Sequence, residues 1–468
     1  MKALKPSSIL AVLAASAPLH ADAIDDYINQ EIARERTPGA ALAIIQRGEL
    51  VRAQGYGYAN IEHRVPVHPD TIFQTGSIGK QFTSTAIMLL VEDGKLKLDE
   101  SIRAYLPEAP QTWQPIKLRH LLTHTSGLPG NPDLDLRRDY TDEELLEVIY
   151  GQKLEFQPGE RWSYSNAGYA LLGLLVKRVS GEFYGDVLKR RVFGPLHMRT
   201  ARVISDRDIV MNRAAGYEVT DDGIYNQDWV APTGNSTADG SLYLSVLDYA
   251  KWDAGLLAGR LLEPQSWAEV YAPVRLNSGK TYPYGFGWSL EKLAGQEVHQ
   301  HGGDWQGFQA FFIRYLGDEI SVVVLANSDR GDVERIARKV AGLYDPKLAL
   351  PPGAPIADRD PALTERVKRQ AQLLADGKLD ARDFIQRPEG DFKKMVRYLG
   401  PLVKKAGTLQ ELRLFDMDER GNERVYRYRG RFENGVLAID ATLDPSGKLS
   451  NLHMQPEAAW DSPLQPLS

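Results

Sequence analysis

From Gln81 to Val91 the chain reads Q-F-T-S-T-A-I-M-L-L-V. Wound as a helix, this run has no polar face, and such a helix belongs in the middle of a fold. It is entered through S-I-G-K, Ser77 to Lys80. The fold must therefore bury a helix with a serine at its N-terminal end and a lysine one turn on, both on one face. The helix dipole at that end favours developing negative charge. A serine hydroxyl is a weak nucleophile until a base takes its proton. A lysine whose charge is disfavoured by burial or by a cationic neighbour can be that base. The competing reading is a simple cap, with Ser77 as N-cap and Lys80 as a solvated first-turn residue. Ser-x-x-Lys arises roughly once by chance in a chain this long, so partners elsewhere decide between the two.

Two further stretches supply them. P-G-E-R-W-S-Y-S-N-A-G-Y, from Pro158, sets Tyr164 and Asn166 just ahead of an apolar helical run. A tyrosine near a lysine ammonium can have its pKa lowered and act as general base. Asn166 can hold a substrate carbonyl or the lysine. Otherwise Tyr164 is a half-buried packing residue. The third stretch is H-Q-H-G-G-D-W-Q-G-F, from His299, just before an expected strand at Gln309. Glycines at His301-Gly302-Gly303 allow close backbone approach to a ligand. A strand-edge N–H there can join the Ser77 N–H as an oxyanion hole. Otherwise His301 is a surface-loop histidine.

Ser77-x-x-Lys80, Tyr164-x-Asn166 and His301-x-Gly303, in that order, resemble the penicillin-recognising serine hydrolases. The branch is that of class C β-lactamases, D-aminopeptidases, DD-peptidases and related esterases. R-H-L-L-T-H-T-S-G-L-P (Arg119 to Pro129), P-L-H-M-R-T-A (from Pro195) and Y-G-F-G-W (from Tyr284) are similar to further blocks of that family. The resemblance covers about Ile24 to Tyr344. It implies that Ser77 attacks a carbonyl and is acylated, and that Lys80 and Tyr164 share the proton traffic, with either as base. Asn166 would position substrate and lysine. The N–H groups of Ser77 and Asp304 would hold the oxyanion, and His301 and Gly303 would line the substrate side. Water, assisted by Tyr164, would release the acyl group. No metal or other cofactor is implied.

The chain departs from the β-lactamases at position 301. A lysine usual there attracts a substrate carboxylate, whereas histidine is mostly neutral at pH 7. Weak β-lactamase activity is the consequence. The leading substrates are D-amino-acid peptides or cell-wall fragments, then small esters; a non-catalytic binding protein with the same fold is the rival of another class. Two other patterns fail. Gly76 to Lys80 lacks the spacing of a phosphate-binding loop, with Gln74 and Gln81 in the required positions. His120 and His124 lack the glutamate of an H-E-x-x-H zinc site, Leu121 taking its place, and read as structural.

The order of elements gives an α+β fold. A helix is expected over Asp25 to Arg36, and strands at Ala40 to Ile45, Leu50 to Tyr56, Gly285 to Leu290, Gln309 to Leu316 and Ile320 to Asn327. A helix at Val333 to Tyr344 closes the region. Helical patterns fill residues 79–262. The arrangement is that of β-lactamases and transpeptidases: one antiparallel sheet built from both ends, flanking terminal helices and an inserted helical lobe. The hydrolase domain spans 24–348 and a Pro/Gly-rich linker 349–362. A small α+β domain spans 363–468, with helices at Glu365 to Ala375 and Phe392 to Leu402 and a four-strand meander from Leu412 to Met454.

Residues 1–23 have the layout of a secretory leader: lysines, an apolar stretch from Ile9 to Ala17, and a small-residue cleavage site at Ala21-Asp22-Ala23. The expected location is periplasmic. No apolar stretch is long enough to span a bilayer, and the chain has no cysteine for a disulfide or a lipid anchor. A net charge of -6 argues against nucleic acid. A small molecule or short peptide is the expected partner.

Overall fold

The computed structural model describes residues 19–349, 353–386 and 389–457. Residues 1–18 of the expected leader and 350–352 of the expected linker lie outside the described residues. The central sheet has seven antiparallel strands in the order Ser289–Leu293, Gln296–Trp305, Phe308–Tyr315, Ile320–Ala326, Gly39–Gln46, Glu49–Asn60 and Val65–Pro66. The two ends of the region meet in its middle, where Ala40 pairs with Ala326 and Gln46 with Ile320.

Alternation along these strands divides the core in two. Ala40, Leu42, Ile44, Val322 and Val324 face the helices Leu19–Glu35 and Val333–Tyr344, meeting Ile24, Ile28, Ile336 and Val340. Ala41, Ala43, Phe312, Val323 and Leu325 face the other way, into a larger core shared with the helical lobe. The helix Gly79–Glu92 crosses that core with every residue from Gly79 to Leu90 buried, as expected of a helix apolar on nearly every side.

The region 79–262, expected as helical, also holds short strands at Arg202–Val203, Tyr217–Val219, Ile224–Asn226 and Leu242–Leu244, and two strands of the central sheet, Val65–Pro66 and Gln296–Trp305, were not expected. Gln296–Trp305 reads Q-E-V-H-Q-H-G-G-D-W and shows no apolar alternation, yet it pairs from end to end with Phe308–Tyr315. Gln306-Gly307 forms the two-residue turn between them, with Gly307 at φ +71. The strand expected at Gly285 to Leu290 is placed at Ser289–Leu293 instead. It pairs only with Gln296 to Gln300. From His301 onward the outer edge of Gln296–Trp305 is therefore left for the turn that carries Ser77.

Residues Pro361–Pro456 build a second unit around their own core of Leu363, Val367, Leu374, Tyr428, Ile439 and Leu452. Two helices, Pro361–Ala375 and Glu389–Ala406, pack on a four-strand meander of Leu409–Arg420, Glu423–Phe432, Gly435–Leu443 and Leu449–Pro456. The turn between its first two strands, Gly421-Asn422, reaches the first unit. The Gly421 N–H donates to the Thr281 carbonyl at 2.8 Å, the Ser278 hydroxyl donates to Asn422 Oδ1 at 2.7 Å, and Asn422 Nδ2 donates to the Glu160 carbonyl at 3.0 Å.

A buried ion pair ties the lobe to the sheet. Arg314 Nε donates to Asp253 Oδ1 at 2.7 Å, and the Ser321 hydroxyl donates to the same oxygen at 2.7 Å. Both charged side chains are almost fully buried. Removing the carboxylate strands the guanidinium. Asp253→Ala is expected to lower unfolding free energy by roughly 3–5 kcal/mol, read from urea denaturation. A loss below about 1 kcal/mol would mean that the pair is not desolvated.

Candidate active site

Ser77 sits in a single 3₁₀ turn, Gly76–Ile78, that leads straight into the helix Gly79–Glu92. Neither element has a side-chain cap at its N-terminus. Ser77 is half-buried, while Lys80 is wholly buried. The capping alternative needs a solvated lysine and is excluded.

Two backbone segments, at Gly303-Asp304 and at Gly240, close on this turn at glycine distance. Gly76 lies at φ +51, and a Cβ on it would come within 2.5 Å of the Asp304 nitrogen. A Cβ on Gly303 would stand 2.0 Å from the Thr75 carbonyl oxygen and 3.0 Å from the Ser77 nitrogen. A Cβ on Gly240 would stand 2.9 Å from the Ser77 nitrogen. The free edge of Gln296–Trp305 is thus brought against the Ser77 turn, with the backbone of Asp304 beside that of Gly76 and Ser77.

Lys80 Nζ has three partners: Ser77 Oγ at 2.9 Å, Asn166 Oδ1 at 2.7 Å and the Asp239 carbonyl at 2.5 Å. The Asn166 amide is oriented by this contact, because its Nδ2 donates to Asn131 Oδ1 at 2.7 Å. Burial drives the Lys80 pKa down to about 7, opposed by the Asp239 charge. The lysine therefore exchanges its proton near neutrality.

Tyr164 lies on the other side. Lys80 Nζ stands 4.8 Å from its ring centroid, over the face rather than at the hydroxyl. The Tyr164 hydroxyl is buried. Ser77 is the hydrogen-bonding neighbour that bears on its ionisation, yet the geometry falls short of a formed bond. Burial holds the phenol well above its usual pKa, against the lowering influence of Ser77. That is opposite to the direction expected from a nearby ammonium. Desolvation outweighs the lysine here because the same burial weakens the lysine's own charge.

His301 is buried, not in a surface loop, and both ring nitrogens are occupied. Nδ1 lies 2.6 Å from the Gly302 carbonyl and Nε2 lies 2.9 Å from the Tyr284 hydroxyl. Burial and the Lys80 charge push its pKa down to about 4, so it is neutral at pH 7. It offers a ligand neither a charge nor a free nitrogen. Its surroundings are aromatic. Trp162 stacks flat on Tyr282 at 4.2 Å, and His124 lies against Tyr164 at 4.3 Å. Tyr282 and Glu160 belong to the segments held from behind by the Gly421-Asn422 turn.

Several of these residues had no role in the sequence reading. Tyr284 and Gly287 lie in the Y-G-F-G-W block. Gly287, at φ +77, leaves room for the Lys80 backbone, since its Cβ would fall 2.8 Å from the Lys80 carbonyl. His124 was read as structural alongside His120. His120 accepts the Lys117 N–H at 3.2 Å in a helix-capping contact, whereas His124 turns into the site. Asn131 and Asp239 carried no signal, and Asp239 offers Lys80 a backbone carbonyl that any residue would possess.

A sequence model of the Beta-lactamase family matches residues 24–344, more than half of the chain. Penicillin-binding protein 4* of Bacillus subtilis (strain 168) is 29% identical over 310 residues, covering 62% of this chain and 68% of that protein. A D-aminopeptidase of Gluconobacter oxydans (strain 621H) is 30% identical over 308 residues, covering 63% of this chain and 57% of that protein. Among solved structures, a D-amino acid amidase from Ochrobactrum anthropi SV3, complexed with D-phenylalanine, superposes with a TM-score of 0.61 at 26% identity. That match covers 70% of this chain and 98% of the amidase. The chain belongs to the β-lactamase family of serine hydrolases and has its β-lactamase/transpeptidase-like fold.

The contact of Gly303 with the nucleophile turn is testable. Gly303→Ala inserts a methyl into space held by backbone, which cannot rotate away. Labelling of Ser77 by a fluorophosphonate is expected to slow on the order of 100-fold, as for loss of one oxyanion donor, in a protein that circular dichroism reports as folded. An unchanged labelling rate would contradict the close approach.

Proposed function

We propose that the chain is an exported serine hydrolase that works through an acyl-enzyme on small amides or esters without a carboxylate beside the scissile bond. D-Aminoacyl amides and short peptides lead, and esters come second. The observation that carries the reading is the set of partners around Lys80. Asn166 Oδ1 and the Asp239 carbonyl can only accept. A neutral lysine keeps two N–H bonds for them and turns its lone pair to the third partner, Ser77 Oγ, 2.9 Å away. The arrangement is satisfied both before and after one proton passes from Ser77 to Lys80.

The chemistry follows. Ser77 Oγ bonds to the acyl carbon as its proton moves to Lys80, and the carbonyl oxygen becomes an oxyanion between the N–H groups of Ser77 and Asp304. Collapse breaks the bond to the amine or alcohol, which leaves with the proton that Lys80 took from Ser77. Water then adds to the ester as it gives a proton to Lys80, and Ser77 Oγ takes that proton back as the acid leaves. Lys80 is the base in this account and Tyr164 a neutral hydroxyl beside Ser77, because one ionises near neutrality and the other far above it.

Charge supports the substrate class. His301 is neutral, and the charges of Asp239 and Asp304 both bear on Tyr164. Asp239 Oδ1 is buried without a hydrogen-bond partner among the described residues. A substrate ammonium is welcome there and a carboxylate is not. The D-aminopeptidase and D-amino acid amidase relatives support the same class by name. Export is supported by the leader-like composition of residues 1–23.

Two outcomes are expected. First, kcat/KM for a neutral ester should rise with pH through about 7, because the base must be deprotonated and Lys80 sheds its proton there. A profile flat from about pH 6 to about pH 8 would contradict Lys80 as base. Second, D-phenylalanine p-nitroanilide, with a free amine, should be hydrolysed at least about tenfold faster than its N-succinyl derivative, a difference near 1.4 kcal/mol. Equal rates, or a preference for the succinyl compound, would overturn the substrate class.

A further inference from the structure

Behind Tyr164 runs a line of hydrogen bonds whose direction is set at both ends. The Ser165 N–H donates to His124 Nδ1 at 3.0 Å. A neutral His124 must then carry its proton on Nε2, which lies 3.2 Å from the Tyr284 hydroxyl oxygen. At the other end the Gly302 carbonyl can only accept, so His301 Nδ1, 2.6 Å away, is the protonated nitrogen. His301 Nε2 is then an acceptor, and the Tyr284 hydroxyl 2.9 Å from it donates. The chain reads Ser165 N–H to His124, His124 to Tyr284, Tyr284 to His301, and His301 to the Gly302 carbonyl, with no donor or acceptor left over.

We propose that Tyr284 and His124 are positioning residues: with His301 they form a directed hydrogen-bonded strut that sets the width of the cleft. One end of the strut is Ser165, which lies between Tyr164 and Asn166 and caps the helix Asn166–Ser180 through the Gly168 N–H. The other end is Gly302, next to Gly303 and Asp304 on the strand edge that abuts Ser77. The strut therefore spans from the Tyr164 side to the Asp304 side, and its three rings are buried. His124 is held at φ +58, a left-handed backbone that a non-glycine residue adopts at a cost of about 1 kcal/mol or more. Its ring also backs the Tyr164 ring at 4.3 Å. The titratable groups that bear on the strut are Lys80, Tyr164, Tyr169 and Tyr282.

The inference rests on the acyl-enzyme reading for its effect on rate, but its hydrogen-bond pattern is independent of any turnover. In ¹⁵N-histidine NMR of the whole protein, His124 is expected as the Nε2–H tautomer and His301 as the Nδ1–H tautomer, neither titrating between about pH 5.5 and about pH 8.5. Two like tautomers, or an ordinary titration of either ring, would overturn the strut. Tyr284→Phe keeps the ring and removes the central hydroxyl. It is expected to lower kcat about 10- to 100-fold with KM within about threefold, and to shift the His301 Nε2 ¹⁵N signal, because that nitrogen loses its donor. Wild-type kcat together with an unchanged Nε2 signal would overturn the positioning role. If Tyr284→Phe does not fold, the wild-type tautomers decide alone. If Ser77→Ala retains turnover, the acyl-enzyme reading fails, while the tautomer pattern stands or falls separately.

Discussion

A lysine with no exposed surface is the constraint from which the rest of the site follows. Isolated in an apolar core, an ammonium would cost several kcal/mol even after relaxation. Here it is met by a serine, an amide oxygen and a backbone carbonyl. Each partner requires a segment to arrive at short range, and the segments arrive through glycine. Gly79 packs on Gly240, Gly287 on the Lys80 backbone, and Gly303 on Thr75 and Ser77. Thr83, one turn beyond Lys80, donates to the Ala238 carbonyl at 2.7 Å and fixes the approach of Asp239. The remaining desolvation appears as a depressed pKa, which is the property a base near neutrality needs.

The neutrality of the surroundings follows from the same burial. His301 and His124 are both held below their usual pKa and Tyr164 above its own. Among the described residues, the charges named near Ser77 are Lys80 and the acidic residues Asp239 and Asp304. A position where a lysine would recruit carboxylates instead holds a histidine whose nitrogens are turned inward. The substitution does more than remove a charge, since it converts a ligand-facing position into part of the scaffold. The second unit contributes from outside, where its Gly421-Asn422 turn holds the segments that carry Tyr282 and Glu160, behind the Trp162 stack.

Much of this was legible in the sequence because the periodic segments carry it. The sheet strands near Ala40 and Ile320 and the helix after Ser77 are apolar runs of the right length, and their burial follows from pattern alone. Ser77, Lys80, Tyr164, Asn166 and the edge at Gly303 are brought together as their order suggested. What escaped was structure made by polar residues. Gln296–Trp305 is a strand without alternation, because one part of it faces the site and its partner strand, not its own side chains, defines it. The direction of the Tyr164 pKa was misjudged because desolvation depends on depth, which spacing does not encode. The role of His124 lay in a left-handed backbone angle and in contacts to residues about 40 and 160 positions away.

The central claim is that Ser77 carries the acyl group of the substrate. Acid quenching during steady-state hydrolysis of an activated ester, followed by peptide mapping in a mass spectrometer, tests it most directly. The account predicts a mass increment equal to the acyl moiety on the peptide that contains Ser77. Sustained turnover with no such adduct, or with the acyl group on another residue, would contradict it.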